Sequence, residues 1–198
     1  NGKLKKYDAK MNDYYFGEKT FEQAETKMQR VVLDGLINKS NLFYKDINII
    51  IGGDLLNQLS ASSYALEDFN IPFLGLYAAC ATFPESLIVG AMFLKEKTMK
   101  NIITITSSHN LSAEKQFRNP IEYGCPKPNT ATFTATGSVA IHLCKDKTNL
   151  KIESATIGKV INMGITDANM MGAVMTPAAA DTLVTHLNDL KRNVDYYD

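Results

Sequence analysis

Three short apolar runs set what this chain can fold into. They occupy 47–51, 71–76 and 101–106, and the first is a β-branched Ile run around Asn48. Each has strand length, and a stretch with helical spacing lies between each pair. Before the first, Thr20-Phe21-Glu22-Gln23 reads as a capping box. Ala24, Met28, Val31, Val32 and Leu36 then recur at helical spacing to a predicted end near Asn38. A second helix is expected over 58–67, with Leu59, Ser63 and Leu66 on one side. A third has Pro84 in its first turn, where a missing N–H is harmless. It carries Leu87, Ile88, Ala91, Met92 and Leu94 as far as Lys95. Strand–helix–strand–helix–strand at these distances predicts an α/β fold, with parallel pairing and right-handed crossovers.

The flanks are less regular. Residues 1–19 read as an irregular N-terminal arm that lays Tyr7, Tyr14, Tyr15 and Phe16 on the body; 20–198 is taken as the domain proper. After Ser107 a polar stretch over 108–129, with Pro120, Pro126 and Pro128, reads as a long loop covering something functional. A strand bent at Gly137 is expected over 130–143. Another is expected over 151–161, antiparallel to it across Asp146-Lys147-Thr148-Asn149. A Met-rich loop at 164–175 precedes a last helix starting at Thr176-Pro177, with Ala180, Leu183, Val184 and Leu187 inward.

Bulk properties narrow the function. Lys plus Arg and Asp plus Glu are both 21. Nothing in that balance draws the chain to nucleic acid or to an anionic membrane surface. The three cysteines, Cys80, Cys125 and Cys144, form no close pair. They suggest neither a disulfide framework nor a zinc site and fit a reducing setting. No apolar run is long enough to span a membrane. The first residues, Asn1-Gly2-Lys3-Leu4-Lys5-Lys6, do not look like a signal peptide, and the missing Met suggests that Asn1 is not the native start.

Four places could carry chemistry. Cys80 stands in Ala78-Ala79-Cys80-Ala81-Thr82, just past the second strand and just before the third helix. Backbone N–H groups and the helix dipole there would favour a thiolate, as a nucleophile needs; a structural cysteine is the other reading. His109, in Ser107-Ser108-His109-Asn110, follows the third strand. If the two strands are neighbours, a Cys80–His109 pair could form outside their carboxyl ends. Alternatively His109 holds loop backbone through its two nitrogens. In Glu114-Lys115-Gln116-Phe117-Arg118, Lys115 or Arg118 could turn inward onto an anionic ligand, or pair with Glu122, or simply face solvent. Gly52-Gly53-Asp54 lacks the spacing of a phosphate loop and reads as a tight strand exit with Asp54 on backbone amides.

Several blocks resemble the stage V sporulation protein AD family of endospore-forming bacteria, within the thiolase-like group. They are Gly52-Gly53-Asp54-Leu55-Leu56-Asn57-Gln58, Ile71-Pro72-Phe73-Leu74-Gly75, Ser107-Ser108-His109-Asn110, Ala113-Glu114-Lys115-Gln116-Phe117-Arg118 and Met175-Thr176-Pro177-Ala178-Ala179-Ala180-Asp181-Thr182. The resemblance implies layered α-β-α-β-α architecture built from two related halves, of which this chain looks like the first. It implies binding of dipicolinic acid, a pyridine dicarboxylate, and support of its uptake into the developing spore. The protein would be peripheral at the spore inner membrane, beside membrane proteins of the same transport complex. A second copy or a C-terminal half would cover apolar surface. No cofactor, metal or nucleic acid is implied.

The resemblance sets Cys80 at the thiolase nucleophile position, here as the floor of a pocket. The alternatives are an enzymatic role, acyl transfer through a Cys80 thioester, and a non-binding scaffold subunit of the complex. Cys80, Phe83, His109, Lys115 and Arg118 are the candidate ligand-binding residues, with Tyr77 as a second wall for the ring. The family has Gly-Ala-Cys-Ser-Thr-Ser around the cysteine. Here Ala78 fills space, and Phe83 replaces a small polar residue at the pocket mouth.

Overall fold

The computed structural model describes residues 6–117, 134–167 and 170–197, with side chains left aside at 114–117. It divides into two compact units, Asn1–Lys147 and Thr148–Asp198.

The first unit is a four-stranded sheet flanked by helices. Its elements are α1 (Phe21–Lys39), β1 (Ile49–Gly53), α2 (Ser60–Leu66), β2 (Phe73–Gly75), α3 (Thr82–Phe93), β3 (Asn101–Ser108), α4 (Asn110–Phe117) and β4 (Gly137–Cys144). The strand order is β2-β1-β3-β4. Strand β1 runs parallel to both β2 and β3, and β4 runs antiparallel to β3. The predicted parallel core is therefore present, with one correction. Strands β2 and β3 are not neighbours, because β1 lies between them.

Alternation along the strands builds two cores. Ile50, Ile103 and Ile105 face Leu33 and Ile37 of α1 and Ala65 and Leu66 of α2. Ile51, Ile102 and Leu143 face the other way, toward Leu87, Val89 and Phe93 of α3. Burial on both faces explains why the central strands are apolar runs and not an alternating pattern. Helix α3 sits close to the sheet at Gly90, where an added Cβ would come within 2.7 Å of the Leu143 side chain.

Helix α1 starts as its capping box predicts, with the Thr20 hydroxyl accepting from the Gln23 amide. Its inner face is not the expected one. Ala24 and Met28 are buried, but the stripe continues through Leu33 and Ile37, while Val31 is 40% exposed. Glu25 and Gln29 lie on that same face and are fully buried. Two polar residues thus occupy the N-terminal half of an apolar stripe.

The expected loop after β3 begins as the eight-residue helix α4. Its short, mostly polar sequence shows little apolar periodicity, which hid it from pattern reading. Strand β4 starts at Gly137, with 134–136 outside the ladder; 130–133 of the expected strand lie outside the described residues. In the second unit, the expected strand over 151–161 is irregular chain without a ladder. Side chains tie it down instead. Arg192 forms a fork with Glu153 at 2.7 and 3.3 Å, and the Thr156 hydroxyl meets His186 Nδ1 at 2.8 Å. Helix α5 (Met171–Leu190) begins five residues before Thr176, leaving Pro177 inside it. The inward face expected for α5 is also corrected: Leu183 and Val184 are more than half exposed.

Gly52 lies at φ +152°, and an added Cβ would fall 1.7 Å from the Ile105 carbonyl oxygen. Gly53 is equally tight against the Leu76 carbonyl oxygen, at 2.2 Å. The paired glycines let β1 approach both neighbours, so this is the tight strand exit and not a phosphate cradle. Gly52→Ala should therefore lower the unfolding free energy by about 3 kcal/mol or more in a urea titration. Gly35, mid-helix in α1 with open space around it, is the contrast. Gly35→Ala should raise it by about 0.5–1 kcal/mol.

Candidate functional site at the carboxyl end of the sheet

The chain leaves β2 with the Leu76 amide donating to the Gly52 carbonyl at 2.8 Å. Ala78 follows at φ −132°, which any residue adopts, so an alanine is tolerated there without backbone strain. The positive φ falls one residue later, at Ala79 (φ 47°). A single 3-10 turn over Ala79–Ala81 then carries Cys80 into solvent, directly before α3. The Thr82 hydroxyl folds back to accept from the Ala78 amide at 3.0 Å. No side chain caps α3 at Ala81, but the Thr82 amide donates to the Ala79 carbonyl and Pro84 brings no N–H, so what this end offers an anion is chiefly the positive end of the helix dipole. Phe83 and Tyr77 flank this end, and Tyr77 is half exposed.

The Ser-Ser-His-Asn run has a different role. Its four residues engage three other segments: α1, the stretch before β4 and the N-terminal arm. The Ser107 hydroxyl donates to Glu25 Oε1 at 2.8 Å, and Ser108 donates to the Ala135 carbonyl. Asn110 donates its amide to the Thr136 hydroxyl at 2.9 Å and its side chain to the Thr134 carbonyl at 3.1 Å. His109 is fully buried. Its Nδ1 accepts from the Leu111 amide at 3.2 Å, which places the proton on Nε2, 2.8 Å from the Tyr14 carbonyl. The ring stacks on Phe21, which stacks on Tyr15.

This corrects the proposed Cys80–His109 pair. His109 turns toward the arm and α1, whereas Cys80 opens α3 on the opposite face. Both imidazole nitrogens already have protein partners, so His109 holds backbone and offers no free nitrogen to a ligand. Lys115 stands on α4, and Arg118, like Glu122, lies outside the described residues. Among the described residues no cluster of His, Cys, Asp or Glu could hold a metal.

Asp54 sits on backbone amides as its sequence context predicts, but the buried polar network that continues from it through Ser62, Gln29 and Glu25 was not read from the sequence. Asp54 is buried at the β1 exit and accepts from the Leu56 amide at 2.8 Å, the Ser62 amide at 2.7 Å and the Ser62 hydroxyl at 2.6 Å. Gln29 Nε2 bridges onward, donating to Ser62 Oγ at 2.9 Å and Ser107 Oγ at 2.7 Å. Ser107 and Ser112 both donate to Glu25. Burial pushes the Glu25 carboxyl up to about 7, aided by the Asp54 charge and opposed by the two serine hydroxyls and the His109 amide. The available signal was the spacing Glu25, Gln29, Leu33, Ile37, which puts both polar residues on the buried stripe.

His109 makes the arm pH-sensitive. Burial lowers its pKa below the usual 6.5, against the Tyr14 contact and the Glu22 charge. The folded protein therefore disfavours the proton. The stabilisation is full above pH 6.5 and is lost as pH falls below it. Protection of the Phe16 and Glu18 amides, whose N–H groups bond within the arm, should fall between pH 7 and 5 when exchange rates are corrected for their intrinsic pH dependence. His109→Ala should give that low protection already at pH 7 and cost about 1–3 kcal/mol in urea unfolding, leaving the Tyr14 and Leu111 groups unpaired.

The sequence model of the family described as stage V sporulation protein AD matches residues 1–198. Stage V sporulation protein AD of Bacillus subtilis (strain 168) is 41% identical over 192 residues, 97% of this chain and 57% of that protein. The chain thus spans little more than half the length of this relative. Among solved structures, the tetronic acid condensing enzyme AbyA1 superposes with a TM-score of 0.51 at 9% identity, over 70% of this chain and 43% of that one. A 3-oxoacyl-[acyl-carrier-protein] synthase III from Aquifex aeolicus VF5 gives 0.44 at 16% identity, over 62% and 39%. The first of these shows the thiolase-like fold. The chain belongs to the stage V sporulation protein AD family.

Proposed function

We propose that this chain contributes to binding dipicolinic acid and supports its uptake into the developing spore. It would act as a peripheral component of a membrane transport complex at the spore inner membrane. Family membership over the whole of 1–198 carries this reading. The head of α3 supports it physically. The exposed Cys80 at the head of α3 lies at the positive end of the helix dipole, which suits one carboxylate of a planar diacid, and Phe83 and Tyr77 supply flat apolar walls. Lys115 and Arg118 are the cations for the second carboxylate. His109 is reassigned within this reading from ligand contact to positioning. Among the described residues no helix is long and apolar enough to cross a membrane, in keeping with a peripheral attachment.

Calorimetric titration of dipicolinate tests the proposal, run on this chain and on a longer chain with the C-terminal half restored. Saturable binding by the longer chain is expected, and Arg118→Glu should weaken it about tenfold or more. No saturable heat with either chain would overturn the reading. Full affinity in the Arg118 variant would remove that residue from the site.

The exposure of Cys80 favours one second reading, acyl transfer through a Cys80 thioester. It predicts one equivalent of label from an acyl-CoA at neutral pH in the longer chain. A Cys80 that stays unlabelled would rule it out.

A further inference from the structure

We propose that Glu25 is a built-in proton-binding site, and that the Ser112 hydroxyl is its switch, donating to the carboxylate when Glu25 is charged and to the His109 carbonyl when it is neutral. Three observations carry this. Glu25 is fully buried, and among the described residues no cation is paired with it. Its charged form is nonetheless provided for, with Ser107 and Ser112 hydroxyls on its two oxygens and the His109 amide beside them. The neutral form needs the reverse, an acceptor for the new proton. Ser107 does not suit that role, because its oxygen already receives Gln29 Nε2 and the structure gives its own hydrogen no other acceptor.

Ser112 does suit it. Its Oγ lies 3.0 Å from Glu25 Oε2 and 3.1 Å from the His109 carbonyl oxygen. When Glu25 takes up a proton, that proton goes to Ser112 Oγ, and the serine hydrogen rotates to the carbonyl. Donors and acceptors balance in both states, and no heavy atom has to move. The His109 carbonyl also receives the Ala113 amide at 2.9 Å, in the first turn of α4. The charge on Glu25 is thereby linked to the hydrogen bonding at the start of α4.

Among the described residues the surroundings supply no competing switch. The β1 exit contributes Asp54, whose three donors come from Leu56 and Ser62. Strand β3 contributes only Ser107. Strand β4 contributes His142, which bonds Asn101 at the opposite end of β3. The α4 start contributes His109, whose ring is engaged by Tyr14 and Leu111. Helix α2 contributes no charged side chain. Burial and the neighbouring Asp54 both favour the neutral form, in line with proton uptake close to neutrality.

The test follows the carboxyl carbon of Glu25 by NMR across pH 4 to 9 in the full chain, assigned by its absence in Glu25→Gln. It also follows the Ala113 amide in the wild type and in Ser112→Ala. Expected are a carboxyl midpoint near neutrality and an Ala113 shift with the same midpoint, absent in Ser112→Ala. In parallel, the folding equilibrium constant of the wild type should gain about a hundredfold over Glu25→Gln as pH falls from 8 to 4.5. Taking this difference removes the opposite-signed contribution of His109. A carboxyl midpoint near 4.5, or identical pH slopes for wild type and Glu25→Gln, would overturn the proton site. An Ala113 amide blind to the Glu25 titration, or equally responsive without Ser112, would overturn the switch. If Glu25→Gln fails to fold, a wild-type glutamate carbon titrating with Ala113 still decides the question.

Discussion

One hydroxyl joins the two halves of the buried polar system. Ser107 Oγ accepts from Gln29 and donates to Glu25, and so fastens the end of β3 to the second and third turns of α1. Two carboxylates buried beside one another, Glu25 and Asp54, are held by chains of donors that meet at Gln29. Such a network is stabilising only while it is complete. Each carboxylate is expensive to bury, and each donor left without an acceptor adds to that expense. Its position explains the rest of this end of the molecule. Ser107 anchors the end of β3, and of the next three residues Ser108 and Asn110 reach the stretch before β4 while His109 reaches the arm.

The order of strands and helices was legible because the strands are apolar on both faces. Ile50 and Ile51 bury against different helices, so no polar residue interrupts the run. The capping box at Thr20 and the tight exit at Gly52 were legible for a similar reason: each is a local requirement met by local residues. The head of α3 was legible as a Cys-bearing turn. Its backbone detail was not, since the positive φ sits on Ala79 and no rule places it there from sequence.

What stayed hidden depends on distant contacts. Glu25 and Gln29 look like solvent-facing residues of an amphipathic helix. They are buried because Ser62, Ser107 and Ser112 arrive from elsewhere in the chain to receive them. His109 looked like a partner for Cys80 because both follow parallel strands. The intervening β1 and the opposite faces of α1 and α3 separate them. Helix α4 was masked by its polarity. The 151–161 stretch has strand composition, but Glu153 and Thr156 are held by side chains of the C-terminal segment and not by a ladder. Propensity names a conformation without naming what will satisfy the backbone.

The distance along the chain between Glu25 and Ser107, 82 residues, has a consequence for how the molecule forms. Helix α1 can appear early, since its cap and its contacts are local. Its polar inner turn, however, has no complete set of partners until β3 is in place. The closing of the network is thus tied to long-range strand assembly, the slow part of folding for a topology of this kind. Until then Glu25 keeps its hydration. The polar residues act late, as a check that β3 has docked in the right register before water is finally shut out.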